Sequence, residues 1–137
     1  MGDQFRMNFS SGSEFEAVVG YSRAVRTGPY VVVAGTTGCG PDAAAQARDA
    51  LSRITGALEQ VGARLGDVIR TRLFVTDIAD WRAVAEVHQE FFGSVLPVAT
   101  MVEVTALISP ELLVEIEVDA YVDESLSGGN DPSAPAT

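Results

Sequence analysis

The strongest pattern in the chain lies between residues 97 and 122. Val98, Thr100, Val102, Val104 and Ala106 alternate with Ala99, Met101, Glu103, Thr105 and Leu107. Farther on, Leu112, Val114, Ile116, Val118 and Ala120 alternate with Leu113, Glu115, Glu117, Asp119 and Tyr121. Successive side chains on a strand point to opposite faces, so both runs predict strands with one apolar face and one carrying carboxylates. Ser109-Pro110 predicts the turn between them, because proline cannot donate to a ladder. The alternation predicts that Glu103, Glu115, Glu117 and Asp119 share one sheet face.

Upstream, the pattern changes period twice. Residues 6–10 predict a short first strand ended by the Ser-Gly-Ser turn at 11–13, and residues 20–26 and 30–35 predict a hairpin joined through Thr27-Gly28-Pro29. The second arm is apolar on both sides, as in a covered central strand. From Asp42 the spacing turns helical, with Ala47, Leu51, Ile54, Leu58 and Val61 forming one apolar stripe between an Asp42 N-cap and a Gly62 stop. Residues 67–77 predict a strand with Ile69, Thr71, Leu73 and Val75 on one face and Arg70, Arg72, Phe74 and Thr76 on the other. A second helix is expected from an Asp80 N-cap to Phe92, stopped by Gly93. The expected order is β-β-β-α-β-α-β-β, an α+β mixed sheet with two helices on one face.

A chain of 137 residues suits one domain, here 1–122, followed by a Ser-, Gly-, Asn-, Pro- and Ala-rich tail at 123–137 expected to be disordered. The start shows neither a secretory signal nor a myristoylation motif, since Arg6 stands where Ser or Thr is required, and no run is apolar enough to span a membrane; a cytoplasmic location is the expectation. The net charge of −10 would repel a phosphate backbone and argues against nucleic acid as a partner. One cysteine, Cys39, excludes an internal disulfide, and one histidine without a Cys/His cluster argues against a metal site. The loop from Gly35 to Pro41 is glycine-rich but lacks the lysine of a phosphate loop.

Three stretches together resemble the RidA/YjgF family of small enamine/imine deaminases. They are SSGSEFEAVVGYSRAVRTGPYVVVAGTTG (10–38), ALSRITGALEQVGARLGDVIRTRLFVTDIADW (50–81), and PVATMVEV followed by LVEIEVDA (97–104 and 113–120). Their order and spacing carry the resemblance, which spans residues 6–122. It implies a chorismate-mutase-like fold, a homotrimer with sheets around the threefold axis, small-molecule sites in the clefts between subunits, and no metal or organic cofactor. It also implies a carboxylate at Glu115 that orients water or relays a proton, with Tyr21 lining the same cleft and the backbone of Ala34, Gly35 and Thr36 touching ligand. Family members with P-x-R-S/T before the V-E-V strand use that arginine to grip a substrate carboxylate, whereas Ala99 stands there here, flanked by Thr100 and Met101. The chain therefore resembles an arginine-less branch, and Ala34 replaces the usual serine.

The implied activity is hydrolysis of a reactive imine or enamine that lacks the usual carboxylate. The alternatives are a non-catalytic trimer that binds a metabolite or stabilises a partner, and an enzyme recruited to a specialised biosynthetic pathway. Arg70, Arg72 and Glu103, with Met101, Phe74 and Tyr121, are expected on a helix-free face suited to subunit contact. Glu115 fits either a catalytic carboxylate or one end of an ion pair with Arg70 or Arg72. His88, between Val84 and Phe91 on the apolar stripe of the second helix, is expected to be packed and hydrogen-bonded. Cys39 is expected to be an exposed thiol without an activating histidine.

Overall fold

The computed structural model describes residues 5–123. Six strands and three helices follow in the order β1 (Arg6–Phe9), α1 (Glu14–Val19), β2 (Ala24–Thr27), β3 (Tyr30–Thr36), α2 (Ala43–Gln60), β4 (Val68–Val75), α3 (Trp81–Phe92), β5 (Val98–Glu103) and β6 (Val114–Tyr121). The sheet order is β1-β2-β3-β6-β4-β5, so the last strand in sequence lies near the middle of the sheet. Strand β6 runs antiparallel to both neighbours, while β4 and β5 are parallel and joined through α3. The expected tail at 123–137 lies, apart from Asp123, outside the described residues. Among the described residues no helix is long and apolar enough to cross a membrane.

Helices α2 and α3 pack beside one another on one face of the sheet, as the periodicity predicts. Alanines at 43, 47, 50 and 57 bring α2 close to the strands, and Leu51, Ile54 and Leu58 fill the layer between. From the sheet, Val31, Val33, Leu73, Val75, Val114, Ile116, Val118 and Ala120 complete this core. Asp42 caps α2 by accepting from the Ala45 amide, and Gly62 (φ 80°) supplies the left-handed turn after it. A buried Gln46 ties two loops to α2. Its amide nitrogen donates to the carbonyls of Gly40 and Glu111, and its oxygen accepts from the Leu113 amide.

Several expectations need correction. Residues 14–19, to which the pattern assigns no element, form a third helix with Ser13 capping the Phe15 amide, and β2 starts at Ala24 instead of at residue 20. The strands of the 97–122 segment are not neighbours, because β4 lies between β5 and β6. Strand β5 also faces the other way. Its register sets Met101 beside Leu73 and Glu103 beside Val75, both core residues of β4, so Ala99, Met101 and Glu103 are on the helix side. Val98, Thr100 and Val102 share the helix-free face with Arg70, Arg72 and Phe74. An edge strand buries little of either face, so alternation alone does not choose its orientation. A bulge between Val68 and Arg70 likewise leaves Ile69 exposed instead of buried with Thr71. Finally, the Asp80 side chain makes no capping bond, whereas Asp77 accepts from the Ala79 amide in the short turn before α3.

Replacing Gln46 with leucine keeps the volume but removes the partners of three part-buried backbone groups. The loss expected in urea denaturation is about 1–3 kcal/mol for each unsatisfied group that solvent cannot reach.

Candidate functional site

The site grows from an irregularity in β3. Pairing with β6 runs Val33 with Val118 and then Thr36 with Ile116, so three steps on one strand oppose two on the other. This bulge holds Ala34 and Gly35 out of register. A Cβ built on Gly35 would lie 2.0 Å from Glu115 Oε2 and 2.9 Å from its carboxyl carbon. The Glu115 carboxylate thus occupies the space that any larger residue would fill. Glycine here serves close approach and not backbone freedom, since a larger residue would have to push the Glu115 side chain aside.

Glu115 sits half-buried on the helix-free face, between the bulge and Phe74 of β4. Burial raises its carboxyl above the usual carboxylate range, the neighbouring Glu117 raises it further, and Arg23 opposes both. A carboxyl that resists ionisation while touching solvent is suited to take a proton from water and to return it. Glu115 receives no hydrogen bond from the described residues, which leaves its oxygens available to a ligand.

Opposite lies a guanidinium. Arg23 Nη1 donates to the Gly35 carbonyl (2.8 Å) and to Thr36 Oγ1 (3.0 Å), and Nη2 donates to Tyr21 Oη (3.0 Å). The Thr36 hydroxyl in turn donates to the Ala34 carbonyl at 2.7 Å. Behind Arg23, Glu16 Oε2 lies 3.5 Å from Nε, and Glu16 accepts hydrogen bonds from the Ser10 hydroxyl and from the amide and hydroxyl of Ser11. Burial would raise the Glu16 carboxyl, but the bonds from Ser11 and Ser10 and the charge of Arg23 outweigh it and hold it below its ordinary value.

The structure therefore brings together Tyr21, Ala34, Gly35, Thr36 and Glu115 and adds Glu16 and Arg23. The sequence reading passed over both, although both left signals. Ser13-x-x-Glu16 is a helix-start pattern, and Arg23 follows Tyr21 at strand spacing. Ala99, Thr100 and Met101 stand apart. Glu115 is level with Phe74 and then Val102, two strands away, or about 10 Å at ordinary strand spacing. Thr100 shares the face but lies level with Arg72 and Glu117, whereas Ala99 and Met101 point to the other side.

The proposed interface residues divide as well. Arg72 Nη1 lies 3.2 Å from Glu117 and 3.6 Å from Asp119, and Arg70 lies 4.0 Å from Asp119, so neither arginine engages Glu115 within the chain. Glu103 is away from them altogether and accepts from the Ile78 amide at 2.8 Å. His88 Nε2 shares a hydrogen bond with the buried Thr71 hydroxyl (2.9 Å) and packs on Phe92; burial lowers its pKa, which keeps it neutral. It is a packing histidine. Cys39 is exposed, with its sulfur 3.3 Å from Arg53 Nη2. Among the described residues no group of three His, Cys, Asp or Glu side chains could hold a metal ion.

Residues 11–122 match the family described as Endoribonuclease L-PSP, which is the YjgF/RidA family. The chain belongs to that family. A solved YjgF/YER057c/UK114-family structure from Mycobacterium tuberculosis is 69% identical, covers 86% of this chain and 100% of its own, and superposes with a TM-score of 0.85. An uncharacterized protein of Streptomyces coelicolor is 37% identical over 118 residues, 81% of this chain and 88% of that protein. The 2-iminobutanoate/2-iminopropanoate deaminase of Escherichia coli is 30% identical over 114 residues, 76% of this chain and 88% of that enzyme. At the level of the family, then, imine deamination is represented.

Because the Glu115 carboxyl is raised in the fold, ionising it costs stability. That cost is absent below its unfolded pKa, near 4.3, and complete above its folded pKa. Glu115→Gln should therefore melt higher than the parent at pH 7, with the difference closing at pH 4. Thermal unfolding at the two pH values measures this directly.

Proposed function

We propose that this YjgF/RidA protein hydrolyses a reactive imine or enamine whose skeleton carries no carboxylate beside the reacting carbon. The observation that carries the reading is Glu115, a half-buried carboxylate seated on Gly35 with free oxygens and Tyr21 nearby, in a chain with Ala99 at the family's anion grip. The Glu115 carboxylate, which makes no salt bridge among the described residues, favours a neutral or protonated imine over an imino acid.

Water adds through oxygen to the C=N carbon, giving up a proton to Glu115, while the nitrogen gains one. The carbinolamine then loses ammonia as the hydroxyl proton departs and the C=O bond forms. Overall, imine and water become a carbonyl compound and ammonia. Glu115 orients the water and moves the proton, the Tyr21 hydroxyl donates to the nitrogen, and the bulge positions polar backbone groups around them.

A homotrimer belongs to the same proposal. Tyr30, Val32, Val98, Val102 and Tyr121 are exposed on the helix-free face, around the Arg70–Asp119 and Arg72–Glu117 pairs. Such pairs are worth only about 0–1 kcal/mol at a wet surface, so covering them alters their energy more than breaking them in the monomer would. A neighbouring subunit would bring its own β5, with Thr100, toward the Glu115 cleft. Light scattering at micromolar concentration should give three times the chain mass, and Arg72→Ala should shift the protein toward monomer. A monomeric parent would end this part of the reading.

The net charge of −10 stands against ribonuclease activity, which the family's description suggests. Ala99 also supports a second reading, in which the cleft binds a metabolite without turnover.

Ammonia release from imines generated in situ by an oxidase separates the two. Turnover is expected on a carboxylate-free imine, with Glu115→Gln lowering it by about 10²–10⁴. On 2-imino acids the parent should bind ten- to a hundredfold more weakly than arginine-bearing relatives, the equivalent of about 1.5–3 kcal/mol for a lost charge-assisted contact. Binding of the imine's carbonyl product without any acceleration would instead select the second reading.

A further inference from the structure

The most heavily connected side chain near the bulge belongs to neither strand that forms it. Arg23 precedes β2, and from one guanidinium it holds the Tyr21 hydroxyl, the Gly35 carbonyl and the Thr36 hydroxyl, while its cation lies 5.5 Å from the centre of the Tyr21 ring. Its side chain is only 13% exposed and that of its partner Glu16 only 5%. Burying such a pair costs desolvation that a well-packed apolar pair would avoid. Packing does not explain it, because α1, which delivers Glu16, leaves Val18 82% and Val19 67% exposed.

We propose that Arg23 is a positioning residue of the site, fixing the Tyr21 hydroxyl and the Gly35–Thr36 bulge opposite Glu115, with Glu16 as the anchor that fixes Arg23. This deepens the hydrolase reading and rests on it for its effect on rate.

Two consequences follow from the hydrogen-bond chemistry. An arginine has donors only, so at Tyr21 the phenol oxygen must accept. The phenol's own proton is then free for a ligand, which makes Tyr21 a donor toward a substrate nitrogen or oxygen. The Thr36 hydroxyl is different, since its proton goes to the Ala34 carbonyl and its lone pair to Arg23. It is committed to holding the bulge. The charged and titratable groups around Glu115 are Glu117 on its own strand, Arg23 and Tyr21 from the segment before β2, and Arg72 on β4, which is taken up by Glu117. Arg23 is thus the cation available to balance Glu115.

Two substitutions separate shape from charge. Arg23→Lys keeps the cation but offers a single nitrogen where the guanidinium reaches three acceptors with two. Arg23→Gln removes the cation as well. With a carboxylate-free imine as substrate, both variants should lose about ten- to a hundredfold in kcat, the scale of small misplacements, with KM changed much less. Only Arg23→Gln should move the acid limb of the pH–rate profile upward, because Arg23 lowers the Glu115 pKa and its removal raises it. A role confined to stability would move neither kcat nor that limb in folded protein. Wild-type kcat in Arg23→Lys would overturn the proposal.

The same variants read the proposal without turnover. Carbon-13 NMR of the Glu115 carboxyl should titrate higher in Arg23→Gln and unchanged in Arg23→Lys, and the Gly35 and Thr36 amide resonances should shift in both. If the parent hydrolyses no imine while these shifts occur, the hydrolase reading fails and the positioning role stands. Unmoved Gly35 and Thr36 resonances in the lysine variant would refute positioning on their own, even if the glutamine variant did not fold.

Discussion

Strand β6 couples the core to the site, and its strict alternation is the constraint on which the remaining structure depends. Val114, Ile116, Val118 and Ala120 are buried against the helices, while Glu115, Glu117, Asp119 and Tyr121 take the opposite face. A one-residue slip would exchange the two sets. It would drive three carboxylates into the core, each at a cost of several kcal/mol, far beyond the margin of a small domain. Antiparallel pairing with β3 on one side and β4 on the other then fixes which backbone stands beside each carboxylate. The bulge in β3 completes the arrangement. By absorbing one residue it places a glycine, and not a side chain, against Glu115.

That same dependence explains what the sequence revealed. The β6 faces, the α2 stripe with its Asp42 and Gly62 ends, and the tight hairpin at Gly28-Pro29 were legible because each is buried on one defined side or closed by specific turn chemistry. The orientation of β5 was not. It lies at the sheet edge, and Val98, Thr100 and Val102 are no less apolar than Ala99, Met101 and Glu103. Helix α1 was missed for a related reason. It buries Glu16 instead of an apolar stripe, so hydrophobic periodicity has nothing to report there and only the Ser13–Glu16 spacing remains.

The candidate site was legible unevenly. Tyr21, the 34–36 segment and Glu115 could be named from resemblance, and the fold brings them together. Neither resemblance nor periodicity could show that Arg23 joins them, because its partners are a backbone carbonyl and two hydroxyls drawn from two separate segments. Bonds of that kind depend on the bulge and leave no repeat in the sequence. The expectation that Arg70 or Arg72 pairs with Glu115 failed on register. In the β4–β6 ladder Arg72 lies opposite Glu117 and Arg70 opposite Asp119, which leaves Phe74 opposite Glu115.

Register therefore divides the acidic face into two electrostatic environments. Toward the Tyr121 end, two arginines meet two carboxylates in half-exposed pairs that a neighbouring subunit could cover without stranding a charge. At the other end Glu115 has only the partly committed Arg23 for balance and an apolar ring across the ladder. Its pKa is raised first by burial and then by the charge of Glu117, against which Arg23 acts alone. A carboxylate next to an arginine of its own would be neutralised and inert, and one fully enclosed would stay protonated. Glu115 lies between these limits because glycine lets it approach the bulge while the open side of the sheet keeps it in contact with solvent.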